Sequence, residues 1–471
     1  HAFRLGLADA PELALAALSS KDQRVLMEAA RILGVTDDAA ALTALLALSG
    51  PPSAVDQRVV TLLRAVRREE PVTAFVGALA DRRPEVRARA AAVLGGIPFP
   101  ACVEALTARA KVEKESAVLT AILRALGEQE SAEAAAAILE AAEAARKDPE
   151  ALAAALDALA KLGFDDPKVM RFFLRVLKSR DPVDRMLALE AAAASGHLAA
   201  AKLLLDAVQD KDWRVRLVVA EGLGKVRVKH AVPVLIDRLE DEEMPRVRAA
   251  VEESLFRVTG QGFYDIVDLW RKWWAESGEA FEVPEEVPQR TKSGHRGASV
   301  ASFYGVPVNS DRIIFVIDQS GSMSGAAGNM TKLERAVDET LKVVRKLRKG
   351  TRANVILFET SIHPWQKGLV KMTPGSKSML GNHLKSKRPM GGTNLYDGLE
   401  LALLTKGVDT IYLLSDGAPG SGKFVQHEDI LREVGRINRT RRVAIHCVAV
   451  GFDSKLMKDI AAQNGGQYVR R

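Results

Sequence analysis

Hydrophobic and polar positions follow two different rhythms along this chain, and the change falls near residue 300. Over the first 275 residues apolar side chains return at i, i+3, i+4 and i+7, the spacing that turns one face of an α-helix toward a core. Four segments are copies of one another: "RPEVRARAAAVLGGI" (83–97), "DPVDRMLALEAAAAS" (181–195), "DWRVRLVVAEGLGKV" (212–226) and "MPRVRAAVEESLFRV" (244–258). Each carries an arginine at its fifth place: Arg87, Arg185, Arg216 and Arg248. Weaker copies begin near Asp22, Asp56, Glu115 and Asp148. A break and a second apolar helix, such as "AVPVLIDRLED", follow each copy, so the repeat is a helical hairpin. One hairpin of this size cannot bury its apolar face alone, and about eight of them must stack into a curved all-α solenoid with a continuous core.

The repeats end in "FYDIVDLWRKWWAESGEAF" (263–281), where Trp270, Trp273 and Trp274 share one helical face. This helix is expected to close the solenoid or to dock it against the next domain. Residues 276–309 lose the helical period and carry Pro, Gly and Ser, as a linker does. Within them "SFYGVPV" (302–308) is apolar enough to pair as an extra edge strand with the domain that follows. The expected division is a solenoid over 1–275, a linker over 276–309 and a second domain over 310–471.

From Asp311 the pattern becomes short apolar strands alternating with amphipathic helices, which predicts an α/β, doubly wound, Rossmann-like sheet with helices on both faces. The strands are "RIIFVI" (312–317), "ANVILF" (353–358), "IHPW" (362–365), "DTIYLLS" (409–415), "VAIHCVAV" (443–450) and "QYVR" (467–470). With the order 3-2-1-4-5-6, the crevice that holds ligands in such sheets lies beyond the first and fourth strands. The residues delivered there are "DQSGSMS" and "DGAPG", and "MGGTNLYDG" adds a threonine just before a helix.

Asp318, Ser320, Ser322, Thr393 and Asp416 thus form a set of two carboxylates and three hydroxyls from three loops. Hard oxygen donors without His or Cys favour Mg2+, with Mn2+ or Ca2+ as alternatives, over zinc or copper. Mg2+ keeps several waters, so one position can be left for an Asp or Glu of a protein partner, and the metal would bridge the two molecules. Ser324 falls outside the D-x-S-x-S spacing and has no metal role.

Two resemblances bear on these readings. The repeats resemble HEAT repeats, in their short "D-x-x-V-R-x-x-A-x-x-L-G" form, over about residues 5–258. The segments "DQSGS", "GGT" and "SDGAP" resemble the three parts of the metal-ion-dependent adhesion site of the von Willebrand factor A domain family, over about residues 310–471. That resemblance implies Ser320, Ser322 and Thr393 as direct ligands, with Asp318 and Asp416 bonded to metal-bound water or coordinating. It implies a non-enzymatic binding protein with the solenoid as a second interaction surface, and bacterial proteins of predicted cell-envelope or secreted type share the arrangement, which points to an extracytoplasmic site with the cytoplasm as the alternative.

Other motifs compete for the same residues. "GAPGSGKF" (417–424) fits G-x-x-x-x-G-K of phosphate-cradling loops, but Phe424 stands where the metal-holding Ser or Thr belongs. The eight histidines show no HExxH spacing, none is evidently paired with Ser320 or Ser322 as a base, and His446 sits inside an expected core strand. Basic clusters at 345–352, 385–388 and 436–442 leave RNA as an alternative partner, since the Ro ribonucleoprotein family also joins helical repeats to a von Willebrand A domain.

Composition narrows the picture only modestly. Apolar content of 47% and charged content of 27% are those of a globular protein, and no apolar run approaches the ~18 residues of a membrane span. Cys102 and Cys447 are far apart in sequence and lack CxxC spacing, so neither a disulfide framework nor a thiolate zinc site is indicated. Residues 301–471 hold 26 Lys and Arg against 15 Asp and Glu, a net +11, and the remaining 300 carry −4 of the total +7. The basic character therefore belongs to the C-terminal domain and suits an acidic partner.

Overall fold

A computed structural model describes residues 69–146, 148–289 and 301–471, together with 10–17, 25, 28, 29, 32, 39–46, 60, 61, 63 and 64. The weak repeats near Asp22 and Asp56 lie outside the described residues. The chain forms two compact units, His1–Val234 and Leu235–Arg471.

In the first unit the repeats are helical hairpins whose starts are written in the sequence. Asp148, Asp166 and Asp181 each accept backbone N–H groups of the following turn through the side chain, and the next residue is a proline, the residue that best tolerates the first helical position. The helices Pro84–Gly95, Ser116–Glu128 and Pro149–Leu162 pack side by side. Glycine makes that approach close: a Cβ on Gly95 would stand 2.7 Å from Ala125 Cα.

The repeated arginine has a structural task. Arg87 donates Nη1 to the carbonyl of Asp81, six residues back, and forks onto both carboxylate oxygens of Glu113 at 2.8 and 3.0 Å. Arg185 does the same with the Ser179 carbonyl and the Asp210 carboxylate, at 2.7 Å for each oxygen. Arg216 and Arg248 likewise reach the carbonyls of Asp210 and Leu239. The signature position thus ties each hairpin to its own turn and, at Arg87 and Arg185, to an acid of a following turn. Burial opposes a charge on Glu113, yet hydrogen bonds from Arg87, Arg109 and backbone N–H groups hold it down to about 2.

The second unit includes the helices Pro245–Thr259 and Val267–Ser277. Trp270 is fully buried, donates Nε1 to the Tyr264 carbonyl at 2.8 Å and meets Phe263 edge-on at 5.0 Å, while Trp273 and Trp274 close over Phe281. The three tryptophans therefore form a local aromatic core. Arg246 donates Nη1 to the carbonyls of Asp409, at 2.8 Å, and Arg442, which stand just before two strands of the sheet.

The sheet domain contains β1 (Ser302–Phe303), β2 (Val306–Pro307), β3 (Arg312–Asp318), β4 (Ala326–Ala327), β5 (Met330–Thr331), β6 (Arg352–Phe358), β7 (Ile362–Pro364), β8 (Val370–Lys371), β9 (Thr410–Ser415), β10 (Ala444–Ala449) and β11 (Tyr468–Arg470). The main sheet runs β11-β10-β9-β3-β6-β7, parallel except at the β7 edge, with β8 also paired to β6. Side chains alternate across it. Ile313, Phe315 and Ile317 face the helices Lys332–Lys346 and Pro374–Lys385, whereas Ile314 and Val316 face Leu395–Leu404, His427–Asn438 and Lys455–Gln463.

One expectation fails here. "SFYGVPV" adds no strand to the sheet edge; β1 and β2 pair only with each other. Tyr304 and Gly305 both have positive φ, 50° and 87°, the combination of a tight two-residue hairpin turn that folds the segment back on itself. Its Phe303 instead covers the sheet face against Phe315 and Tyr412, and Tyr412 donates its hydroxyl to the Pro307 carbonyl.

Candidate metal centre

The parallel register of β3 and β9 pairs Ile317 with Leu414, so Asp318 and Ser415 leave the sheet side by side. Asp318 is fully buried; its Oδ1 accepts the backbone N–H of Ser320 at 2.7 Å and its Oδ2 the hydroxyl of Ser415 at 2.5 Å. Burial pushes its carboxyl up, the bonds from Ser320 and Ser415 pull it down, and the nearby charge of Asp416 adds to the rise.

The turn Gly321–Ser324 then brings Ser322 back beside Ser320, with the two Oγ atoms 3.0 Å apart. Ser322 donates to Asp416 Oδ1 at 2.6 Å. Ser324 bonds the Gly321 carbonyl and closes the turn. Thr393 is fixed through the backbone: its carbonyl accepts the N–H of Gly420, and the next residue, Asn394, donates its N–H to the Glu359 carbonyl. A Cβ on Gly417 would lie 3.8 Å from Thr393 Oγ1 and 4.0 Å from Ser322 Oγ, so both hydroxyls border the same point.

All five residues expected from the sequence therefore meet at one end of the sheet. Ser322 is exposed while Asp318, Ser320, Thr393 and Asp416 are buried, which leaves the mouth of the cluster open on the serine side. The donors are hydroxyl and carboxylate oxygens alone, and among the described residues no three His, Cys, Asp or Glu side chains gather as a metal cage. This donor set fits a hard divalent cation.

Three participants were not legible in the spacing. Lys332 places Nζ 2.7 Å from Asp416 Oδ2. It reaches the cluster because β4 and β5 form a hairpin that returns the chain, and its N–H bonds the Gly325 carbonyl. Ser415 stands first in "SDGAP", but the sequence reading gives it no role of its own. Glu359 is buried beneath the Gly391–Gly392 turn, holds the backbone N–H of Thr360 and pairs with His363 at 3.0 Å.

The competing motifs find other employment. In "GAPGSGKF" the N–H groups of Gly420 and Ser421 serve the Thr393 carbonyl, Lys423 pairs with Glu400, and Phe424 packs edge-on against Tyr396. His446 stacks on Tyr412, accepts the Gln467 N–H at Nδ1, and is pushed by burial to about 4.

Comparison with known proteins assigns the parts. The family of HEAT repeats matches residues 72–160 and 170–255, and the von Willebrand factor type A domain matches residues 311–470. Residues 311–470 are a von Willebrand factor type A domain. Inter-alpha-trypsin inhibitor heavy chain 4 of Mus musculus is 29% identical over 175 residues, 34% of this chain and 18% of that protein. Heavy chain H3 of Rattus norvegicus is 37% identical over 95 residues, 20% of this chain and 10% of its own. The chain spans less than a fifth of the length of these relatives. Among solved structures, a von Willebrand factor type A protein from Catenulispora acidiphila is 19% identical, covers 35% of this chain and 39% of that one, and superposes with a TM-score of 0.31. No helix among the described residues is long and apolar enough to cross a membrane.

Proposed function

We propose that this protein is a non-enzymatic, metal-dependent binding scaffold. Its von Willebrand domain would hold Mg2+ between Ser320, Ser322 and Thr393, and the solenoid would provide a second interaction surface. The observation that carries the reading is the convergence of the three hydroxyls and the two carboxylates on one open point. The ion would supply a positively charged coordination position for an Asp or Glu of the partner. Asp318, locked by Ser415 and by the Ser320 N–H, orients the serine loop. Asp416 orients Ser322 and would offset the charge of the ion.

A binding role is favoured over hydrolysis by the hydrogen bonds of the hydroxyls. Ser322 donates to a carboxylate and Ser320 contacts Ser322, so neither is set against an imidazole base. The relatives that carry the name of an inhibitor's heavy chain agree with a protein-interaction role.

The test is capture of a partner from the native source by wild type and Asp318→Ala, each with Mg2+ and with chelator. Capture by wild type in Mg2+ alone is expected. Equal capture in all four conditions would sink the metal bridge.

A further inference from the structure

Beside the metal loop lies a cleft of about 280 Å³ bordered by Gln319, His363, Ser386, Lys387, Arg388 and Met390. It is joined to the candidate metal site through the backbone: Met390 donates its N–H to the Gln319 carbonyl at 2.8 Å, and Gly321 donates to the Gly391 carbonyl at 3.1 Å. Gln319 directly follows Asp318, so whatever occupies the cleft sits next to the metal loop.

The chemistry of the cleft is one-sided. Arg388 donates Nη1 only to the carbonyls of Lys385 and Lys387, and neither it nor Lys387 has a carboxylate partner among the described residues. Glu334 feels the charge of Arg388, but its carboxylate is committed to the Thr331 cap. Glu359, the other acid nearby, is buried and paired with His363. Among the described residues, then, neither cation is engaged in a salt bridge.

Two further features describe the occupant. Gln319 is 4% exposed, its Nε2 is spent on the Arg388 carbonyl at 2.6 Å, and its Oε1 has no hydrogen-bond partner. An acceptor in that state calls for a donor such as a peptide N–H. Met390 is 57% exposed on the rim and offers apolar contact to a chain lying across it.

We propose that this cleft anchors a second acidic side chain of the partner, within a few residues of the acid at the metal, through Lys387 and Arg388. The inference rests on the metal-bridging reading and deepens it: the partner is an acidic segment with at least two carboxylates, not a lone Asp or Glu.

The experiment uses the full chain and synthetic probes. A fluorescein-labelled Gly/Ser peptide with one aspartate is compared with a set in which a glutamate is moved along the same peptide, and binding in Mg2+ is read by fluorescence polarisation. One member of the set should bind roughly fivefold or more tightly than the single-aspartate peptide. Lys387→Ala/Arg388→Ala should abolish that advantage while leaving the single-aspartate peptide and the Mg2+ affinity unchanged. No advantage in wild type, or an advantage that survives the double variant, overturns the cleft assignment while single-aspartate binding keeps the metal bridge. Binding of no peptide overturns both. Displacement of the best peptide by an unstructured RNA oligonucleotide, with a steep loss of RNA affinity on adding salt, would reassign the cleft to nucleic acid.

Discussion

Lys332 and Asp416 meet as an ion pair, Nζ to Oδ2 at 2.7 Å, with the carboxylate shielded from solvent and the lysine side chain mostly so. A fixed positive charge therefore stands inside the candidate metal centre. Even with the screening of bulk water, a unit charge about 6 Å from a divalent ion costs about 1.4 kcal/mol, a factor of ten in affinity. Lys332→Met is expected to bind Mg2+ about tenfold more tightly than wild type, as read by isothermal titration calorimetry. Equal or weaker binding would show that the lysine does not compete with the ion.

Ser415 is outside the expected donor set, yet it holds one oxygen of Asp318 at 2.5 Å. Groups that orient a ligand commonly change metal affinity by about 10- to 100-fold when removed. Ser415→Ala should weaken Mg2+ binding by roughly tenfold, while Ser324→Ala, which only closes the turn, should leave it unchanged in the same calorimetric titration.

Glu113 takes hydrogen bonds from Arg87 and Arg109 and sits at about 2, against an ordinary value of 4.5. A carboxyl lowered on folding stabilises the folded form above its unfolded value, and that stabilisation is lost as pH falls from about 4.5 toward 2. Glu113→Gln leaves two guanidinium groups without a charge partner and should cost about 3 kcal/mol at neutral pH. Hydrogen exchange over residues 84–128 should register the loss, and the difference between variant and wild type should shrink toward pH 2.

Gly391 has φ +67°, and a Cβ there would collide with the carboxylate of Glu359. Gly391→Ala should therefore displace the turn that delivers Thr393. The expected outcome is at least about tenfold weaker Mg2+ binding with the circular dichroism spectrum of the fold retained.

The five oxygen residues were readable in advance because Asp318 ends a strand and is followed at once by the serine turn, Asp416 follows a strand and Thr393 stands just before a helix, and the alternation of elements fixes which strand ends share a crevice. The arginine of the repeat was legible as a mark but not as a fork: its acid lies 25 or 26 residues away, outside the quoted copies. Lys332 escaped because the hairpin of β4 and β5 that returns it is only two residues long on each side. The β1–β2 hairpin was misjudged for a related reason. Apolar residues announce burial, but positive φ at Tyr304 and Gly305 decides whom the strand pairs with.

Arg246 grips the carbonyl just ahead of β9, and Asp416 stands just beyond its other end. A pull applied at Asp416 and resisted at Arg246 would run along the strand. β9 lies between β3 and β10 and is bonded in parallel to both. Such a load acts in shear, and the ladders on the two sides must give way together, not one bond at a time.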